Sequence, residues 1–148
     1  KSCRIKLNFV KKDVNEKGLR MTLNFGHTFA HAIEGRNNFS KKITHGEAVL
    51  SGMILETKLS VLKKICSLRT LDKIKNIYLQ NKLDYTYKKN YKKNFVNKLI
   101  TYLKNDKKNN DKKINFILLK KIGKTLMPNK SKFSVNNLKK MSRIISQC

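Results

Sequence analysis

The stretch from Ala48 to Leu62 limits the fold more than any other. Ala48, Val49, Leu50, Met53, Ile54, Leu55, Leu59, Val61 and Leu62 leave almost no polar face when wound as a helix. A helix apolar nearly all round has to be wrapped by other elements. Thr44, with Glu47 three residues later, is a capping box that starts this helix and puts His45 in its first turn. The pattern runs to about Lys64. Glu56 and Lys58 interrupt it, and it falls short of the roughly eighteen apolar residues that span a bilayer. The spacing predicts the central helix of one domain, which 148 residues are enough to bury.

Other patterns supply what wraps it. Cys3, Leu7 and Val10, with Ile5 and Phe9 alongside, predict a helix over Ser2 to Lys12. Gly18 is then the expected positive-φ turn. A second helix is predicted from about Asn24, as N-cap, to Glu34, with Gly35 as its stop. Amphipathic helices are predicted at Leu71 to Asn81 and Asn94 to Asn105, separated by a Lys/Tyr-rich connector from Tyr85 to Lys93. After a low-complexity Lys/Asn/Asp loop from Asn105 to Lys113, Ile114 to Leu119 reads as a strand that pairs with Ile122 to Met127. A last helix covers Val135 to Ile145. No internal repeat is visible, and the expected class is mainly α with a small β-hairpin.

The net charge is +26, with 35 Lys and Arg against 9 Asp and Glu. Charge of this size points first to nucleic acid or an anionic surface. The excess is almost all lysine, however, interleaved with asparagine and isoleucine, and arginine occurs only at positions 4, 20, 36, 69 and 143. Specific phosphate and base readout favours arginine forks. Compositional bias on solvated faces is therefore read ahead of a basic nucleic-acid-binding domain, which would use Tyr85 to Lys108 for stacking and phosphate contacts. Cys3, Cys66 and Cys148 are odd in number and widely spaced, against a disulfide framework or zinc ribbon. With no leader pattern, the expected location is the cytoplasm, away from membranes. Beginning at Lys1 rather than Met, the chain is expected to be a fragment or processed piece.

All three histidines fall between Arg20 and Glu47. His27 and His31 are four residues apart on one helix face, and His45 opens the next helix, within reach of folding back. A zinc protease would need Glu after the first histidine, where Thr28 stands. A catalytic zinc takes three protein ligands and keeps one position open, so two histidines here still require a third ligand. The bland alternative is satisfied core histidines, with Glu34 and Glu47 as ordinary capping or surface acids. Clustering with Arg20, Asn24 and Gly26 favours a site.

Glu16-x-Gly18-Leu19-Arg20, Leu23-Asn24-x-Gly26-His27-Thr28-x-x-His31-Ala32-Ile33-Glu34, His45-Gly46-Glu47-Ala48-Val49 and Gly52-Met53 resemble the 3-dehydroquinate synthase family. Asp106-Lys107-Lys108, the strand Ile114 to Leu119 and Ile122-Gly123 continue the likeness in collinear order. The part resembled is the family's helical C-terminal half. The resemblance implies a single helical metal- and substrate-binding domain over residues 1–148, with the NAD-binding N-terminal half absent. It implies a sugar phosphate substrate, oxidised transiently by NAD+, losing phosphate by elimination, reduced again and closed to 3-dehydroquinate in the shikimate pathway. By position, His27 and His45 would be zinc (or cobalt) ligands, the third being a glutamate from before Lys1. Lys6, Glu16, Arg20, Asn24, His31 and one of Lys107 and Lys108 would face the substrate, with His31, Arg20 and Asn24 catalytic. The implied partners are the N-terminal half of the same enzyme and a second copy in a homodimer. Such a fragment is expected to be inactive alone.

Two departures stand out: Ala30 where the family usually has Gly, and the Lys41-Lys-Ile-Thr44 approach to His45. The rival readings closest in kind are other sugar phosphate cyclases, of aminocyclitol or valiolone type, and the metal-dependent alcohol or glycerol dehydrogenases.

Overall fold

The structure, a computed structural model, describes residues 1–83, 95–104 and 113–146. In chain order the elements are α1 (Ser2–Lys12), a 3-10 helix (Leu19–Asn24), α2 (His27–Arg36), α3 (His45–Leu62), α4 (Leu68–Gln80) and α5 (Phe95–Lys104). Four short strands follow, β1 (Lys113–Asn115), β2 (Leu119–Lys121), β3 (Lys124–Thr125) and β4 (Lys132–Ser134), and then α6 (Val135–Ser146). The fold is mainly helical, as the apolar periodicities predict. The Tyr85 to Lys93 connector, Lys107, Lys108 and Cys148 lie outside the described residues.

α3 is the central helix, packed by α2, α4, α6 and β2. The main core joins Phe29 and Ile33 of α2, Leu55 and Leu59 of α3, Leu99 and Leu103 of α5, Phe116 and Leu118 of the strand region, and Leu138 and Ile145 of α6. A smaller cluster of Ile54, Leu71, Ile74, Tyr78 and Leu119 seats α4. Three of the polar residues that interrupt α3 serve a neighbour's backbone. Glu56 Oε2 accepts from Gly26 N–H at 2.9 Å at the start of α2, and Lys58 Nζ donates to the Ile145 carbonyl at 3.1 Å near the end of α6. Ser60 Oγ accepts from Leu119 N–H at 3.0 Å. Helix ends and strand edges leave backbone groups without partners, and here the central helix supplies them.

α2 and α3 cross at a contact with no room for side chains. A Cβ on Gly52 would strike the Gly26 carbonyl oxygen and lie 3.1 Å from Ala30 N. A Cβ on Gly26 would lie 2.8 Å from Met53 N, and Gly26 sits at φ +88°. Ala30, fully buried, belongs to the same packing.

Several local expectations are corrected. Gly35 does not stop α2, which continues to Arg36. Its hydrogen faces the Tyr102 ring, whose Cδ1 would be 3.1 Å from a Cβ there, so this glycine makes room for α5. Asn24 is not the N-cap of α2; it ends the 3-10 helix, and Gly26 takes the cap position. The positive φ in the first loop is at Glu16 (+52°), whereas Gly18 has φ −147°. Ile114 to Leu119 is not one strand. β1 pairs antiparallel with β4 (Ile114 opposite Phe133), whereas β2 pairs with β3 across Gly123 at φ +80°. One extended segment thus serves two partners in succession. α1 forms over its predicted span but buries none of its residues.

Candidate functional site

The loop after α1 is organised by Asp13. Its carboxylate accepts from the backbone N–H of Lys17 (3.0 Å), Gly18 (2.8 Å) and Arg20 (2.9 Å). These bonds, that to Arg20 foremost, hold its pKa below the usual carboxylate value. The 3-10 helix is thereby set so that Glu16, Arg20 and Asn24 meet. Glu16 Oε1 accepts from Asn24 Nδ2 at 2.6 Å, and its Oε2 lies 3.7 Å from Arg20 Nε. Arg20 Nη1 donates to the Val14 carbonyl at 2.8 Å. Lys6 and Cys3 of α1 face this bracket across a cleft of about 520 Å³, and His27 closes one side of it.

His27 is the first residue of α2, whose N-cap, Gly26, offers no side chain. Glu56 takes over that capping from within α3. Burial pushes its pKa up to about 8, so the acid keeps its proton at neutral pH. The amides of Gly26, Thr28 and Phe29 pull the other way, although Oε1 completes no full hydrogen bond. His31 lies one turn along α2 and is exposed. His45 opens α3 and places its Nδ1 3.0 Å from Glu34 Oε1.

The three rings form a triangle, with centroids 5.4 Å apart for His27 and His45, 5.9 Å for His27 and His31, and 6.4 Å for His31 and His45. Two imidazoles sharing a tetrahedral metal at about 2.0–2.1 Å would have centroids roughly 5 Å apart, which His27 and His45 nearly satisfy. His27 Nδ1 is buried without a hydrogen-bond partner. Burial lowers the pKa of that ring, the Phe25 backbone opposes this, and charge on His45 or His31 lowers it further. Among the described residues no group of three or more His, Cys, Asp or Glu side chains is arranged to hold a metal ion. The His27–His45 spacing alone is compatible with two imidazoles sharing one divalent cation.

Most residues named from sequence therefore converge. Lys6, Glu16, Arg20, Asn24 and His27 line one cleft, and His31 and His45 stand beside His27. Sequence reasoning gave no role to Asp13 or Glu56, and named Glu34 only as the end of the family motif and, in the bland alternative, as a surface or capping acid. Glu34 follows His31 by three residues, on the same helix face, which was the available signal. For Glu56 the signal was a carboxylate inside an otherwise apolar helix, where an unpaired charge is costly.

Comparison with known proteins identifies relatives of the chain. The family model described as 3-dehydroquinate synthase C-terminal matches residues 1–109. The 3-dehydroquinate synthase of Pelagibacter ubique is 41% identical over 122 residues, covering 82% of this chain and 33% of the relative. That of Endomicrobium trichonymphae is 44% identical over 126 residues, covering 84% and 33%. The chain thus spans about a third of the length of these relatives. A crystal structure of 2-deoxy-scyllo-inosose synthase complexed with carbaglucose-6-phosphate, NAD+ and Co2+ superposes with a TM-score of 0.71 at 25% identity, covering 94% of this chain and 38% of that one. The chain belongs to the 3-dehydroquinate synthase family, as its C-terminal domain.

Proposed function

We propose that this chain is the metal- and substrate-holding part of a 3-dehydroquinate synthase, which converts 3-deoxy-arabino-heptulosonate 7-phosphate to 3-dehydroquinate and phosphate. The observation that carries the reading is that His27, with His45 beside it, lines the same cleft as the Glu16–Arg20–Asn24 bracket. The relatives with that name are 41% and 44% identical, against 25% for the inosose synthase, which favours the dehydroquinate type over other cyclases.

The roles follow from the side chains. Arg20 and Lys6 are cations facing the cleft and suit the carboxylate and phosphate of the substrate. Glu16 holds both Arg20 and Asn24, so the guanidinium is aimed before substrate arrives and the Asn24 amide is ready to orient a hydroxyl. His31, beside the donor pair, is read as the residue that carries a proton to or from the substrate. His27 and His45 would hold Zn2+ or Co2+. When bound, the cation supplies Lewis acidity toward a substrate hydroxyl, and NAD+ supplies the transient oxidation. Lys107 or Lys108, outside the described residues, is kept in this reading as a further substrate-binding cation on the strength of the resemblance alone. NAD+ binding and the remaining metal ligand are assigned to the rest of a longer enzyme, in keeping with relatives three times as long. No helix among the described residues is long and apolar enough to cross a membrane, and a cytoplasmic location is part of the proposal.

Calorimetric titration of the 148-residue chain tests it. Co2+ and 3-deoxy-arabino-heptulosonate 7-phosphate should both bind, the first lost in His45→Ala and the second in Arg20→Met. The chain alone should show no turnover. Absence of both binding events, or cyclase turnover by the chain alone, refutes the proposal.

A further inference from the structure

His45 sits at an exposed helix start, with its side chain 57% accessible, where an imidazole would ordinarily sample several rotamers. Glu34 Oε1 lies 3.0 Å from its Nδ1, and the glutamate side chain is only 17% accessible. A carboxylate only accepts hydrogen bonds, so Nδ1 must carry the proton. In the neutral ring that leaves the lone pair on Nε2. Such a carboxylate–imidazole pair sets the tautomer and direction of a metal-binding histidine and raises its basicity.

We propose that Glu34 is the positioning residue of the metal site, orienting His45 so that Nε2 faces the cation that His27 also serves. The assignment rests on the metal reading above. Glu34 follows His27 by seven residues and His31 by three, so all three share a face of α2. The helix beneath them is held fast by Phe29, Ala30 and Ile33, each fully buried. One rigid helix therefore supplies the first donor and aims the second. The intervening loop brings α3 back to this point through Asn38 and Phe39, both at positive φ (52° and 51°). Its backbone is anchored on Glu34 as well, because the Asn37 and Phe39 N–H groups donate to the Glu34 carbonyl at 3.0 and 2.9 Å. Glu34 thus fixes both the path of the loop and the ring at its end.

Two measurements on the 148-residue chain decide the matter. Long-range proton–nitrogen correlation spectra without metal, at mildly alkaline pH, should show His45 as the Nδ1–H tautomer. Glu34→Gln, whose amide oxygen still accepts, should keep it, whereas Glu34→Ala should return the ring toward the Nε2–H form that free histidine prefers. Co2+ titration should give about 10- to 100-fold weaker binding in Glu34→Ala, with Glu34→Gln in between. A melting curve for each variant shows that the fold is retained. An Nε2–H tautomer in the unmodified chain overturns the proposal. So does Co2+ binding that needs His27 and His45 but not Glu34. Co2+ binding indifferent to both His27→Ala and His45→Ala instead removes the metal reading itself, and the proposal with it.

Discussion

Gly52→Ala is the sharpest test of how α2 and α3 build the site. The added methyl would strike the Gly26 carbonyl oxygen and lie 3.0 Å from the Gly26 carbonyl carbon and 3.1 Å from Ala30 N. All three are backbone atoms, so no side chain can swing aside. Restoring carbon contacts of about 3.5 Å requires the helices to part by on the order of 1 Å. Overpacking of this kind costs about 1–3 kcal/mol, and backbone on every side places this case at the top of that range. About 3 kcal/mol corresponds to a fall in Tm of roughly 6–12 °C for a chain of this size. Metal geometry tolerates only about 0.2 Å, and His27 directly follows Gly26, so Co2+ affinity should fall as well. Gly46→Ala is the control, because a Cβ there meets nothing within 4 Å. It should leave stability unchanged or raise it by up to about 1 kcal/mol, since Ala is the better helix former. Calorimetric melts of the two variants check this. A Gly52→Ala chain that melts within 2 °C of the parent, or no lower than Gly46→Ala, would refute the crossing argument.

Two further outcomes are expected. The pKa of Glu56 is raised to about 8 in the folded chain against an ordinary 4.5, so the folded state holds that proton longer. Its contribution to stability is complete below about pH 4.5 and is lost as pH rises through 8. Urea unfolding should show a decline of about 3 kcal/mol between pH 4.5 and 7 from this group, and Glu56→Gln should flatten it. Asp13→Asn should release the N–H groups of Lys17, Gly18 and Arg20 and misplace the guanidinium, weakening binding of the heptulosonate phosphate in calorimetric titration. Because the Asp13 pKa is lowered in the fold, its stabilising effect is present above the ordinary pKa of 3.8 and lost as pH falls through the lowered value, so parent and variant should converge in acid.

What was legible in the sequence was mostly periodic. The α3 pattern with its Thr44–Glu47 capping box, and the apolar spacing of α1, gave those helices nearly to the residue because period and cap are local properties. The histidine cluster was legible because the i, i+4 spacing already places two rings on one face. The Gly35 and Asn24 readings failed because both residues answer to tertiary neighbours, Tyr102 in one case and Glu16 in the other. The division of Ile114 to Leu119 between two partners was hidden because pairing is decided by where the chain returns, not by the strand's own residues. The roles of Glu34 and Glu56 were hidden for a related reason: a glutamate on a helix looks the same whether it faces water, an imidazole or the end of another helix.

The meeting of Gly26, Gly52 and Glu56 has an evolutionary consequence. Gly26 gives its N–H to Glu56, its carbonyl to Ala30 N–H at 3.0 Å and its missing side chain to α3. A substitution at any one of these positions changes what the others can tolerate, so their effects should not add. Lysine supplies most of the +26 charge, and a lysine on a solvated face can be gained one residue at a time. At this crossing no such single step is open, so the residues that set the spacing of the histidines can change only together.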